Sequence, residues 1–297
     1  MKILIVGTVR NVASAIEREL NRLEQKFSRN IEIEFFLVES DSDDETVLKL
    51  SFLQAKITNF QFVSEGKLEE KIPERIERLR HCRNIYVEYI RRNQLQNKWD
   101  FVLVMDFDGM NNLLDEKGLL SCIEDKRSWD ACFPVQRHGY YDLLALRHKY
   151  WMPENCFEEL EWWKTFVSSK SYTSRVMPRI SYYFAIDRVK REKFYSKMLV
   201  FNEQNDWVKV DSAFGGAAIY KTDIFREHDY SKVGNIDYGC EHVDFHMSLA
   251  IENRKLYINP KFVNSSWNSY NLNRLFLVRL YRSKNLSVRR FLFKFRK

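Results

Sequence analysis

The sequence predicts an α/β fold, a Rossmann-like and mostly parallel sheet with helices on both faces and a helical insertion after the fifth strand. Three observations carry this. An unbroken apolar run at residues 101–105 reads as a strand buried on both faces, as in a parallel sheet, and residues 3–6 and 31–38 read as two earlier strands. Segments of helical spacing separate them, giving a β-α-β-α rhythm. The run at 101–105 ends on two carboxylates, Asp106 and Asp108, and in open α/β sheets ligands bind beyond the carboxyl ends of strands.

The elements follow in order. Residues 3–6 form the first strand, and the turn from Gly7 to Asn11 leads into a helix over 12–27 with Ile16, Leu20 and Leu23 on one face. Residues 31–38 form the second strand. Ser42 with Glu45 fits a capping box that opens the next helix. A third strand is expected at 57–63. Pro73 starts a long helix to about Arg92, with Ile76, Leu79, Tyr86 and Ile90 as its stripe. Then come the 101–105 strand, a helix near 114–124 and a strand at 130–134. The texture changes after Pro134, where a tryptophan-rich helix around Trp151, Trp162 and Trp163 reads as an insertion or lid; residues 168–195 take no assignment. Residues 208–220 read as strand, Gly215-Gly216 turn, strand. A short helix covers 239–251 and a last strand 255–263. Without a repeat or low-complexity linker, the chain divides into one domain over 1–273 and a basic amphipathic tail over 274–297.

The chain has 297 residues, 45% of them hydrophobic, which is ordinary for a globular protein. Aromatics at 15% are high enough to supply stacking surfaces as well as core. A formal net charge of +7 favours anionic partners such as nucleotide phosphates or anionic lipid. Cys82, Cys122, Cys132, Cys156 and Cys240 are odd in number and form no C-x-x-C, which points to a reducing compartment, hence the cytoplasm. The apolar run at residues 3–6 is too short for a signal peptide, and no run nears the ~20 apolar residues of a spanning helix.

Residues i and i+2 of a strand lean the same way, so Asp106 and Asp108 can face one cation. Hard oxygen ligands suit Mg²⁺ or Mn²⁺, which usually also hold substrate phosphates. The alternative is a pair of solvated loop acids. Gly215-Gly216 either lets backbone approach a ligand closely or makes a hairpin turn. His242 and His246, at i and i+4, share a helix face that either binds a metal or is structural.

Together these residues resemble a nucleotide-sugar glycosyltransferase of the GT-A fold. The elements are the first strand followed by Val9, Arg10 and Asn11, the second strand ending in Glu39 and Ser40, helical Arg83 and Asn84, and Asp106-Phe107-Asp108. Two further stretches, Tyr141 to Arg147 and Ser212 to Tyr220, are similar to the fungal capsule-associated α-1,3-mannosyltransferase group within that fold. The resemblance covers about residues 1–265 and implies a nucleotide-sugar donor, leaning toward GDP-mannose, with an acceptor-side insertion after the fifth strand. It implies that Asp106 and Asp108 hold the metal and neutralise charge growing on a pyrophosphate leaving group. Arg10 and Arg83 become phosphate forks, or else surface or ion-paired arginines. Glu39 and Asp41 become acceptors for base or ribose, unless Asp41 only places charge at a helix N-terminus. Gly215 and Gly216 fall beside the donor sugar, and Asp211 near it. Glu241 becomes the catalytic base or an acceptor-binding carboxylate, with His242 where a second acid is common. Asp142 lies on the acceptor side or caps the following turn. The late metal-binding histidine is replaced by Asn264, so Asn264 or water would complete the metal shell.

Three rivals stand beside this. Asp106-Phe107-Asp108-Gly109 also matches the opening motif of haloacid dehalogenase-type phosphatases, though it lies about a hundred residues into the chain and no later glycine-acid-acid cluster follows. The departures at His242 and Asn264 leave open a non-catalytic carbohydrate- or membrane-binding module. Nucleic-acid binding is disfavoured, because the basic residues are spread along the chain. The tail interleaves Arg279, Arg282, Arg289 and Arg290 with Leu280, Leu286, Phe291 and Leu292. That pattern suits either peripheral contact with an anionic membrane, fitting a glycan or lipid-linked acceptor, or a terminal helix packed on the domain.

Overall fold

The computed structural model describes residues 1–27, 31–97, 99–170, 177–234, 238–275 and 278–279. Its centre is an eight-stranded sheet in the order β3-β2-β1-β4-β7-β5-β8-β6. The strands are β1 (Lys2–Val9), β2 (Glu32–Glu39), β3 (Phe60–Ser64), β4 (Phe101–Met105), β5 (Ala131–Gln136), β6 (Val208–Val210), β7 (Ala217–Lys221) and β8 (Leu256–Ser265). Strands β1–β4 pair in parallel, as do β5 and β8; β7 runs antiparallel to both β4 and β5, and β6 antiparallel to β8. Only β7 and β6 are therefore reversed, and six strands point their carboxyl ends to one edge.

The apolar runs explain the layers. Along β1, Ile3 and Ile5 enter a core with residues of α1 (Ile16–Lys26), α2 (Thr46–Lys56) and α4 (Glu116–Ile123). Leu4 and Val6 enter the opposite core with α3 (Arg75–Asn97) and α8 (Glu241–Ile251). Alternate residues of a strand face opposite sides, so helices cover both faces, as the sequence implies. Gly7 lies where β1 passes β4; a Cβ there would collide with the Met105 carbonyl and come within 2.8 Å of the Phe107 ring.

Between β5 and β6, α5 (Cys156–Lys170) and α6 (Met177–Lys193) form the helical insertion, and α7 (Ile224–Glu227) follows β7. The stretch without a sequence assignment is thus mostly α6. The strand–turn–strand expectation for 208–220 is corrected. β6 pairs with β8 at the sheet edge, whereas β7 sits between β4 and β5. Residues 211–216 carry the chain across the sheet, because Ala217 to Tyr220 are buried and fit only a central strand. The capping box also fails: Ser42 Oγ accepts the Asn11 amide at 3.0 Å, and the Thr46 amide is satisfied by Asp44 at 3.0 Å.

The boundary at 273/274 is crossed by contacts. Arg274 donates to the His138 carbonyl at 2.6 Å, and Arg279 grips Asp187 of α6 through two bonds of 2.5 and 3.2 Å. The rest of the tail, 276–277 and 280–297, lies outside the described residues, and so does the amphipathic pattern expected there. Among the described residues no helix is long and apolar enough to cross a membrane.

Candidate functional site

A cleft of about 580 Å³ opens at the carboxyl ends of β1, β2 and β4. Its floor is the loop after β4. The Asp106 amide donates to the Gly216 carbonyl at 2.9 Å, and Asn111 Nδ2 donates to the carbonyls of Asp106 and Gly216, each at 2.8 Å. The two-carboxylate loop and the glycine turn are thereby stapled together. Gly215 and Gly216 have φ of +72° and +88°, and a Cβ on Gly216 would come within 3.0 Å of the Tyr141 hydroxyl. Here the glycines serve both a left-handed turn and a close approach.

Asp106 stands a third exposed, with the Arg83 guanidinium 4.0 Å away. Desolvation by the cleft walls pushes its carboxyl up to about 7; Arg83 opposes this, while Asp108, Asp142 and Glu241 add to it. Asp108 is exposed at the rim and accepts the Met110 amide at 3.1 Å. Arg83 is buried on α3. Its Nε donates to Glu241 Oε1 at 3.1 Å, and its guanidinium lies over the rings of Phe214 and Tyr230 at 5.6 and 5.5 Å. Glu241, the first residue of α8, is thus fixed from α3. Asp142 accepts the amides of Gly215 at 2.9 Å and Ala145 at 3.3 Å, so it both caps its own turn and orients the glycine turn; burial pushes its carboxyl up.

The structure brings Val9, Arg10, Asp41, Arg83, Asp106, Asp108, Asp142 and Glu241 to this one cleft. Arg10 also pairs at the rim with Asp43 at 3.8 Å and Glu69 at 3.7 Å. Asp41, at φ +61°, accepts the Glu69 amide at 2.8 Å and faces Arg78 Nε at 3.5 Å. Gly215 and Gly216 stand behind Asp106 rather than lining the cleft.

Other expected residues lie elsewhere. Glu39 is buried, accepting from the Ser42 amide at 3.0 Å and from the Ser64 hydroxyl, so both its oxygens are engaged. Asn11 ties the β1 loop to Ser42 and Asp43. Asn84 accepts the Tyr230 amide at 2.8 Å. Asp211 is exposed outside the cleft, its amide on the Arg147 carbonyl at 2.9 Å. Asn264, expected as a metal ligand, is fully buried: its Oδ1 accepts from Gln136 at 2.9 Å while its Nδ2 donates to Asn111 at 2.7 Å and Gly215 at 2.8 Å. His246 is structural, with Ser212 at 2.9 Å and Tyr220 at 2.7 Å on its two ring nitrogens.

Sequence reasoning missed Arg75, Arg78 and Tyr270, which also line the cleft. The arginines had a signal, since α3 repeats Arg75, Arg78 and Arg83 toward one end. Tyr270, stacked on Tyr141 at 5.1 Å and 11°, had none, because nothing in the sequence shows that the chain after β8 folds back. Also unforeseen were Glu227, His228 and Glu252, outside the cleft, whose potential ligand atoms lie within 4.8 Å of one another.

Comparison with known proteins adds the following. No family model and no curated protein matches the chain. Solved structures do. Residues 1–349 of TarS from S. aureus share 14% identity over 97% of this chain and 68% of that one, at a TM-score of 0.46. The mannosyltransferase PcManGT from Pyrobaculum calidifontis, solved with GDP-Man and Mn²⁺, shares 13% over 96% and 66%, at 0.47. Glucosyl-3-phosphoglycerate synthase from Mycobacterium tuberculosis, solved with UDP, shares 12% over 89% and 69%, at 0.39. At these values the likeness assigns neither donor, acceptor nor reaction, and the chemistry of the cleft carries the functional reading.

Proposed function

We propose that the protein is a divalent-metal-dependent glycosyltransferase that moves a sugar from a nucleotide-sugar donor to a glycan or lipid-linked acceptor. The observation that carries this reading is the charge imbalance at Asp106. Asp108, Asp142 and Glu241 share the cleft with it, while the cation nearest to it among the described residues is the Arg83 guanidinium at 4.0 Å. Hard oxygen donors with unmatched negative charge fit a Mn²⁺ or Mg²⁺ ion, with Asp106 and Asp108 as the residues that would hold it. When bound, such an ion supplies Lewis-acid stabilisation of a pyrophosphate leaving group.

The chain's own residues supply the rest. Arg10, Arg75 and Arg78 ring the cleft with positive charge suited to an anionic nucleotide. Arg83 holds Glu241 in one orientation, and Glu241 accepts the hydrogen bond of the incoming hydroxyl. Asp142 fixes the glycine turn that shapes the sugar pocket. The insertion adds Phe157, Phe194 and Tyr195 to the lining as apolar surface. GDP-mannose is the first donor to test, on the sequence resemblance, and a surface polysaccharide is the product class it implies.

A thermal-shift panel of GDP-mannose, UDP-glucose and UDP-N-acetylglucosamine, with and without Mn²⁺, tests the proposal. At least one donor is expected to raise the melting temperature only when Mn²⁺ is present. Stabilisation by none, with turnover of a phosphate monoester, would transfer the two aspartates to the phosphatase reading.

A further inference from the structure

His242 lines the cleft beside Glu241 yet is only 4% exposed. Its ring lies flat on Phe214, with centroids 3.7 Å apart and planes at 21°, and Tyr230 and His246 complete the cage at 5.7 and 6.0 Å. Neither ring nitrogen has a hydrogen-bond partner among the described residues. A buried polar group without a partner is costly and rare, so such a group in a cleft wall marks a place where something else supplies the bond. The nearest charged oxygen is Glu241 Oε1, 3.8 Å from Nε2. That gap is too long for a direct bond; an oxygen atom bonded to both at about 2.8 Å would sit beside the line joining them, and since Nε2 is buried the cleft wall must give for it to enter.

We infer that His242 and Glu241 form a two-armed clamp for the acceptor hydroxyl, in which the imidazole Nε2–H donates to the hydroxyl oxygen and the hydroxyl donates to the carboxylate. This rests on the glycosyltransferase reading and adds the residue that positions the attacking atom. The stack on Phe214 fixes the ring plane, and Arg83 fixes the carboxylate. Burial, with Arg83 close by, pushes the imidazole far below its usual range, so it stays neutral with one N–H donor. His242 is therefore a positioning residue and takes no proton. The proton of the hydroxyl points to Glu241, and the one lone pair not taken by the imidazole N–H is left to attack the anomeric carbon.

The clamp predicts that stability and function separate. His242→Phe keeps the ring and the stack but removes both nitrogens. Water and glycerol serve as simple hydroxyl probes, with saturating donor and Mn²⁺. The variant is expected to bind donor as the wild type does and to melt at the same or a higher temperature. It should release sugar to water about tenfold more slowly, with a raised KM for glycerol. His242→Gln, which retains an N–H, is expected to recover part of the rate. An unchanged rate in His242→Phe overturns the clamp. So does a melting temperature lowered by several degrees, since the imidazole would then be a satisfied part of the core. A wild type that binds donor but transfers to neither probe overturns it as well. Failure of the wild type to bind any nucleotide sugar instead removes the reading beneath it, and the clamp with it.

Discussion

The two rims of the cleft are built from similar residues and behave differently. On the β2 rim every carboxylate oxygen of Glu39 and Asp41 meets a protein donor: Ser42 and Ser64 for the first, Glu69 and Arg78 for the second. On the β4–α8 rim, among the described residues, the Asp106 carboxylate has the Arg83 guanidinium at 4.0 Å and neither ring nitrogen of His242 has a hydrogen-bond partner. A satisfied polar network rigidifies the backbone around it, whereas an unmatched charge or donor waits for a ligand. Under the proposed function, the β2 rim is a scaffold that shapes the pocket and the β4–α8 rim holds the chemistry. Substitutions on the first should reduce stability, and substitutions on the second should reduce function.

The sharpest test of that division is Glu241→Gln. If Glu241 removes the acceptor proton, the transfer rate should fall about 10²–10⁴-fold with donor affinity nearly unchanged. A loss below tenfold would limit Glu241 to holding Arg83, and the anomeric configuration of the product by NMR then separates retention from inversion. The opposite rim should respond in the opposite way. Asp41→Ala strands the Glu69 amide and is expected to destabilise the fold by about 1–3 kcal/mol in denaturant unfolding while donor binding stays Mn²⁺-dependent. A stable Asp41→Ala protein that had lost metal dependence would break the comparison.

The smallest effect is in pH. The Asp106 carboxyl is raised from 3.8 to about 7 in the fold, so the protonated form is favoured there. Its contribution to metal-free stability is complete at low pH and is lost as pH rises from 3.8 to about 7. Asp106→Asn does not titrate. Its melting temperature relative to wild type should therefore climb across that window and level off above it. A difference that is flat with pH would show that the carboxyl is not desolvated.

Much of the scaffold was legible in the sequence. Strands β1 and β4 announce themselves because burial on both faces favours unbroken apolar runs, β2 is apolar without a break only from Phe35 to Val38, and Pro73 marks the start of α3 to within two residues. The sheet order was not legible on the β5–β8 side. Six residues between Val210 and Ala217 look like a hairpin turn, and nothing local shows that they cross the sheet. Helix α6 hides because Met177 to Lys193 mixes basic and aromatic residues without an apolar stripe. Within the site, Asp106, Asp108 and Glu241 could be found because carboxylates at element ends stand out. Glu39 and Asn264 looked equally promising, since a sequence records donors and acceptors but not whether they are already paired. The orphaned nitrogens of His242 were invisible for the same reason.

The central claim is that Asp106 and Asp108 bind the donor through a divalent ion. Isothermal calorimetry of the wild type, Asp106→Asn and Asp108→Asn with Mn²⁺ and the nucleotide sugar that stabilises the protein most tests it directly. The account expects Mn²⁺-dependent binding in the wild type and none in either variant, with both variants still melting cooperatively. Equal donor affinity in all three proteins would contradict it.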